Sequence, residues 1–174
     1  MKPWLLLIHN IPPRPLYLRA KIRQRLERIG AVALKNSVYA LPESDDALED
    51  LQWLAGEIAA GGGHAFIVAG KLVSGMTEKE LVAAFRAART SDYDALLRDM
   101  RAAPDALAKH RARLAEIRTI DFFRSPKRKE AEQMLAKLER KQPKPRRLQP
   151  RDRPAARGTW ITRKGIKIDR IASA

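Results

Sequence analysis

At 174 residues, 45% of them hydrophobic, the chain can bury a sizeable core, which excludes wholesale disorder, and it carries a net charge of +15. The absence of cysteine excludes a disulfide scaffold, a thiolate zinc site and a cysteine nucleophile. The charge is uneven: residues 137–174 hold 13 basic and 3 acidic side chains, a net of +10, which leaves +5 on residues 1–136.

Taken in chain order, the apolar run at residues 4–8 stops at the turn cluster 9–15 and suits a strand buried on both faces. It is far too short to span a bilayer, and no signal-peptide pattern follows Lys2, so a soluble, cytoplasmic protein without a membrane partner is expected. Leu18, Ile22, Leu26 and Ile29 recur at helical spacing, with Gly30 where a C-terminal cap belongs. Residues 31–34 and 37–41 form either a hairpin or one bent strand, broken at Lys35-Asn36. After Pro42 a second helix over 43–60 opens acidic, with Leu48, Leu51, Leu54 and Ile58 expected inward. Gly61-Gly62-Gly63 ends it, and residues 65–73 read as a last strand.

The order βαββαβ is the ferredoxin-like pattern, so the expected fold class is α+β. Beyond Gly75 the period turns helical: a capping box at Thr77 and Glu80 opens one helix, a second follows Pro104, and Ser125-Pro126 starts a third. The expected organisation is a ferredoxin-like unit over 1–75 and a helical segment over 76–141. A basic Pro- and Arg-rich linker over 142–158 and the truncated start of a further domain over 159–174 follow.

Three cationic groupings stand out. The first helix and the turn before it carry Arg14, Arg19, Lys21, Arg23, Arg25 and Arg28 against Glu27 alone, a set suited to DNA phosphates. Arg124, Ser125, Lys127 and Arg128 cluster where a helix begins, and bare N–H groups beside cations want an anion there: an oxyanion, or a carboxylate from Glu130 or a neighbouring helix. In the tail, Arg163 and Arg170 suit a dianionic oxyanion, since each guanidinium fork gives two parallel hydrogen bonds.

Catalytic chemistry finds little support. His9, His64 and His110 lack paired spacing for a metal, the glycine run lacks a phosphate-loop lysine, and no catalytic residue is assigned. Asp92-Tyr93-Asp94 reads as solvated surface, and Trp4, Trp53, Phe66 and Phe85 read as core.

Residues 4–13 (WLLLIHNIPP), Tyr17-Leu-Arg, residues 30–42 (GAVALKNSVYALP), Leu51-Gln-Trp-Leu, residues 62–68 and Ile120-Asp-Phe-Phe resemble the N-terminal domain of the ChrB family of chromate-resistance regulators. Residues 160–163 (WITR) and 169–174 (DRIASA) resemble the opening of that family's C-terminal domain. The resemblance implies a transcriptional regulator of a chromate efflux operon, with promoter DNA as partner, chromate as effector and no other cofactor. It makes Arg163 and Arg170 the first sensing candidates, and a homodimer is expected of such a regulator. The βαββαβ unit also resembles, more distantly, the small domain shared by phenylacetate-type repressors and CRISPR-adaptation nucleases. In the nucleases a carboxylate after the first strand binds a divalent metal; here the stretch is His9-Asn10-Ile11, which disfavours hydrolysis. The alternatives are a metal-dependent nuclease-like or other nucleic-acid-processing protein, and a chromate-binding resistance protein without DNA contacts.

Overall fold

The computed structural model describes residues 3–14 and 16–141, together with two short strands at 159–161 and 167–169. The chain divides into two compact units, Met1–Arg140 and Lys141–Ala174. The first contains β1 (Trp4–Asn10), α1 (Leu16–Arg28), β2 (Val32–Lys35), β3 (Val38–Pro42), α2 (Asp45–Ala60) and β4 (His64–Gly70). Three helices follow, α3 (Glu78–Ala102), α4 (Leu107–Thr119) and α5 (Arg128–Lys141). The second unit pairs β5 (Thr159–Ile161) with β6 (Lys167–Asp169), antiparallel, Trp160 opposite Ile168. Arg163 and Arg170 lie outside the described residues, as does the linker over 142–158.

The protein is thus α+β, with one four-stranded antiparallel sheet in the order β2-β3-β1-β4 and five helices among the described residues. The hairpin alternative holds at residues 31–41: Val32 pairs with Ala40 and Ala33 with Tyr39, with a register shift before Lys35. Central β1 pairs with β3 on one side and β4 on the other, so Leu6 faces both Ala40 and Val68.

The period-two pattern of the strands divides the core between the two sheet faces. Leu5, Leu7 and Leu41 point towards α1 and α2, where Leu18, Ile22, Leu26, Leu51, Leu54 and Ile58 close one core. Each fully buried aliphatic side chain there contributes about 1.5–3 kcal/mol before entropy is counted. Trp4 and Ala40 point the other way, against Leu81 and Phe85 of α3. Trp4 stacks on Phe85 at 5.6 Å between ring centroids, and Phe123 packs on both rings. A third core joins α3, α4 and α5 through Leu96, Met100, Leu114, Ile117, Ala131 and Leu135.

Caps and turns follow local chemistry. Ser44 caps α2 by accepting from the Ala47 N–H at 3.1 Å, and Thr77 with Glu80 forms the full capping box of α3. Gly30 ends the first helical segment at φ +80°, and a Cβ there would lie 2.7 Å from Ile120 Cβ. Only glycine meets both demands.

Six expectations need correction. Leu48 is exposed, because Ala47 takes the inward position one residue earlier. Trp53 is 72% exposed on α2 and Phe66 is 66% exposed on edge strand β4, so neither is core. Tyr93 is fully buried between the helices rather than solvated. The strand at residue 8 is not buried on both faces, since Ile8 is exposed. Helix α5 begins at Arg128, after a turn that carries Ser125-Pro126.

Candidate functional site

The six cations of the first helix and its leading turn separate by helical angle. Lys21 and Arg25, one turn apart, face α2 and share Glu57, with Nζ–Oε1 at 2.5 Å and Nη1–Oε2 at 2.7 Å. Glu27 therefore does not stand alone against the cations: a carboxylate 30 or more residues away neutralises part of the face. Both cations remain about half exposed, so each pair adds only about 0–1 kcal/mol. Arg28 lines a different cavity, between α1, α3 and α4, where Arg89 and Arg113 meet Asp92 and Glu116.

In that cavity Arg89 is only 7% exposed. Its Nε lies 3.0 Å from Asp92 Oδ2, and it sits beside Gly30 and Ile120, where α1 and α4 end. Two helix C-termini present negative partial charge, which offsets a buried guanidinium. This lining balances cations with carboxylates, and Asp92 offsets the Arg89 charge while Arg89 Nη1 is buried without a hydrogen-bond partner.

Arg19 and Arg23 turn to the opposite side. They line a cleft of about 840 Å³ formed by the end of β1, the first two turns of α1 and the β2–β3 hairpin. Arg19 is anchored by a 3.0 Å hydrogen bond from Nη2 to the Ile11 carbonyl. Lys35 joins them from the hairpin, and the lining contains no carboxylate. Helix α1 has no acidic residue in its first turn, so its positive end adds to the three cations. Arg14 is exposed in the turn that leads into α1.

The rest of the wall combines the neutral polar residues His9, Asn10, Asn36, Ser37 and Tyr39 with apolar Ile11, Leu16, Ala20, Ile22, Ala33 and Leu34. The His9 ring stacks on Tyr39 at 5.6 Å, and neither ring nitrogen has a hydrogen-bond partner. Burial lowers the His9 pKa, because desolvation penalises the imidazolium. The Ser37 carbonyl accepts from the His9 backbone N–H at 2.9 Å, which ties the hairpin turn to β1. The cleft is built to receive negative charge and to donate and accept several neutral hydrogen bonds.

The cluster at 124–128 has a different outcome. Lys127 Nζ donates to Glu130 at 2.8 Å and lies 3.6 Å from Asp94; Arg128 Nε donates to Glu132 at 3.0 Å. The hydrogen bond from Lys127 holds the Glu130 carboxyl below its ordinary range and raises the lysine in return. Ser125 is buried, its Oγ 2.9 Å from Thr90 Oγ1 and its N–H donated to Asp121 at 2.9 Å. Arg124 is exposed at φ 52°. The anion wanted at this helix start is supplied by the protein's own carboxylates.

The cleft residues from β1 and the hairpin were missed in the sequence, where 9–15 read as a turn cluster and Lys35-Asn36 as a break. Their signal was positional: in a split βαβ order the end of the first strand, the helix that follows and the next hairpin meet at one end of the sheet.

Among the described residues no helix is long and apolar enough to cross a membrane, and no group of three or more His, Asp or Glu is placed to hold a metal. Fold and cleft together define a small α+β domain with a cleft at the head of its first helix that three cations and no carboxylate line. The family model described as Protein ChrB, N-terminal, matches residues 19–140, and the chain belongs to that family. It is 25% identical over 132 residues to Protein ChrB of Cupriavidus metallidurans, an alignment that takes in 69% of this chain and 40% of the relative. The chain thus spans well under half of that relative's length. No solved structure matches it significantly.

Proposed function

We propose that the protein is a chromate-responsive, DNA-binding regulator of a chromate-resistance operon, acting in the cytoplasm as a homodimer. The observation that carries the DNA reading is the one-sided cationic cleft: Arg19, Arg23 and Lys35 at a helix N-terminus with no carboxylate in the lining. Membership in the ChrB family supports the link to chromate resistance. The sheet order β2-β3-β1-β4, antiparallel throughout, supports a ferredoxin-like scaffold beneath the cleft. Chromate is the effector, and Arg163 and Arg170 remain its first proposed receptors because paired guanidinium forks fit a tetrahedral dianion. The protein works by binding rather than turnover: His9-Asn10 at the end of β1 and Ile11 after it offer no carboxylate where a metal-dependent nuclease needs one.

The test is a gel shift on the protein's own upstream region, with and without chromate, at two salt concentrations. A retarded complex that weakens with salt and changes with chromate is expected. Unchanged promoter affinity and salt slope after charge reversal at both Arg19 and Arg23 removes the cleft as the contact. A normal chromate response after Arg163→Ala with Arg170→Ala removes those two as the sensor.

A further inference from the structure

The cleft offers more than a phosphate needs. Phosphate oxygens only accept hydrogen bonds, so cations and N–H donors complete their recognition. Beside the three cations stand Asn10, Asn36 and Ser37, all exposed, whose amide and hydroxyl groups both donate and accept. A wall that mixes donors and acceptors matches the edge of a nucleobase, which carries both.

Shape points the same way. A duplex backbone is convex and needs only cations on a surface, whereas this site is a recess of about 840 Å³, within the range that encloses a small organic ligand. Leu16, 80% exposed at the head of a cationic helix, lines it together with the stacked rings of His9 and Tyr39. Exposed apolar and aromatic side chains among cations serve bases that have left the stack, because a paired base hides its faces.

We infer that the cleft takes an unpaired nucleotide, its phosphate against Arg19, Arg23 and Lys35 and its base edge against Asn36 and Ser37. Single-stranded or bulged DNA then binds more tightly than a perfect duplex. This rests on the nucleic-acid reading above and names the form of nucleic acid the site selects. Electrostatics alone predicts the reverse, since a duplex presents the denser charge.

Fluorescence anisotropy with the full chain tests it, using labelled oligonucleotides of one sequence as single strand, perfect duplex and duplex with a one-nucleotide bulge. The single strand and the bulge are expected to bind about fivefold or more tighter than the duplex, the equivalent of one stacked base. That ratio persists as salt is raised, because stacking and edge hydrogen bonds release no counterions. Asn36→Ala with Ser37→Ala, both on an exposed turn, is expected to collapse the ratio. A duplex that binds as well as the single strand overturns the inference and leaves the DNA reading standing. So does a preference that survives the double substitution, or competition by inorganic phosphate as strong as that of a nucleoside monophosphate. Binding to none of the three DNAs overturns the DNA reading itself.

Discussion

The Tyr93 hydroxyl donates to the Asp121 carboxylate at 3.1 Å, and both residues are buried, at 0% and 6% exposure. Burial and the adjacent Asp121 charge raise the tyrosine pKa well beyond its ordinary value, so it remains a donor. The second Asp121 oxygen accepts from the Ser125 N–H, which fastens the 120–125 turn to α3. That turn carries Phe123 onto Trp4 and Phe85, on the sheet face opposite α1. Tyr93→Phe is therefore expected to cost about 1.5–3 kcal/mol, because it strips one hydrogen bond from a buried carboxylate. Asp121→Ala is expected to cost more, leaving two buried donors unpaired. Urea denaturation of both variants checks the order.

Gly30→Ala is expected to be among the most damaging single-methyl changes in the first unit. It places a Cβ at φ +80° and 2.7 Å from Ile120 Cβ, with Phe122 and Arg89 just beyond. Backbone strain of about 1–3 kcal/mol adds to overpacking of similar size. Thermal unfolding measures the loss, and Gly62→Ala separates the two terms, since Gly62 has a similar φ and no atom within 4 Å.

Glu57→Gln is expected to strengthen binding to polyanions. It releases Lys21 and Arg25 from their shared carboxylate while removing only half-exposed ion pairs, so stability falls by about 1 kcal/mol or less. Duplex affinity and the steepness of its salt dependence both rise, by up to about two phosphate equivalents. An unchanged salt slope would falsify the idea that these two cations reach DNA when freed.

Stability is expected to fall as the pH drops through the range where free histidine titrates. The His9 pKa is lowered in the fold, so the unfolded chain binds the proton more readily. The contribution is therefore complete above the unfolded value of about 6.5 and is lost as pH falls from there towards the folded value. His9→Phe keeps the ring against Tyr39 and removes the proton site. Urea midpoints from pH 5 to 7.5 are expected to flatten in that variant relative to wild type.

Much of the first unit was legible in residue order. Leu18, Ile22 and Leu26 lie on the buried stripe that their spacing implied, and the Thr77–Glu80 capping box forms as its residues require. Leu51, Leu54 and Ile58 also turn inward as expected. These features depend on neighbours within a turn or two, which a one-dimensional pattern contains. Leu48, Trp53 and Phe66 failed for a related reason: hydrophobicity states what a side chain prefers, not whether a neighbour covers it. Phe66 is left bare with its partner Ile8 and with Val68, on the sheet face opposite α1 and α2, and which part of a face is covered is not a local property.

By itself, the sequence determined the helices of the first unit, its first and last strands, the Thr77–Glu80 capping box and the family motifs. It also showed that the surplus charge lies mainly in the tail, leaving a modest +5 on residues 1–136. Only the tertiary structure decided which of those cations are free. Glu57 reaches Lys21 and Arg25 from α2, and Arg19, Arg23 and Lys35 converge on a cleft without a carboxylate; the Lys127–Glu130 and Arg128–Glu132 pairs lie one helical turn apart and were within reach of the sequence. The physical reason is the range of the interaction. An ion pair is decided within about 4 Å in space, so beyond the one-turn spacing of a helix chain distance carries almost no information about it.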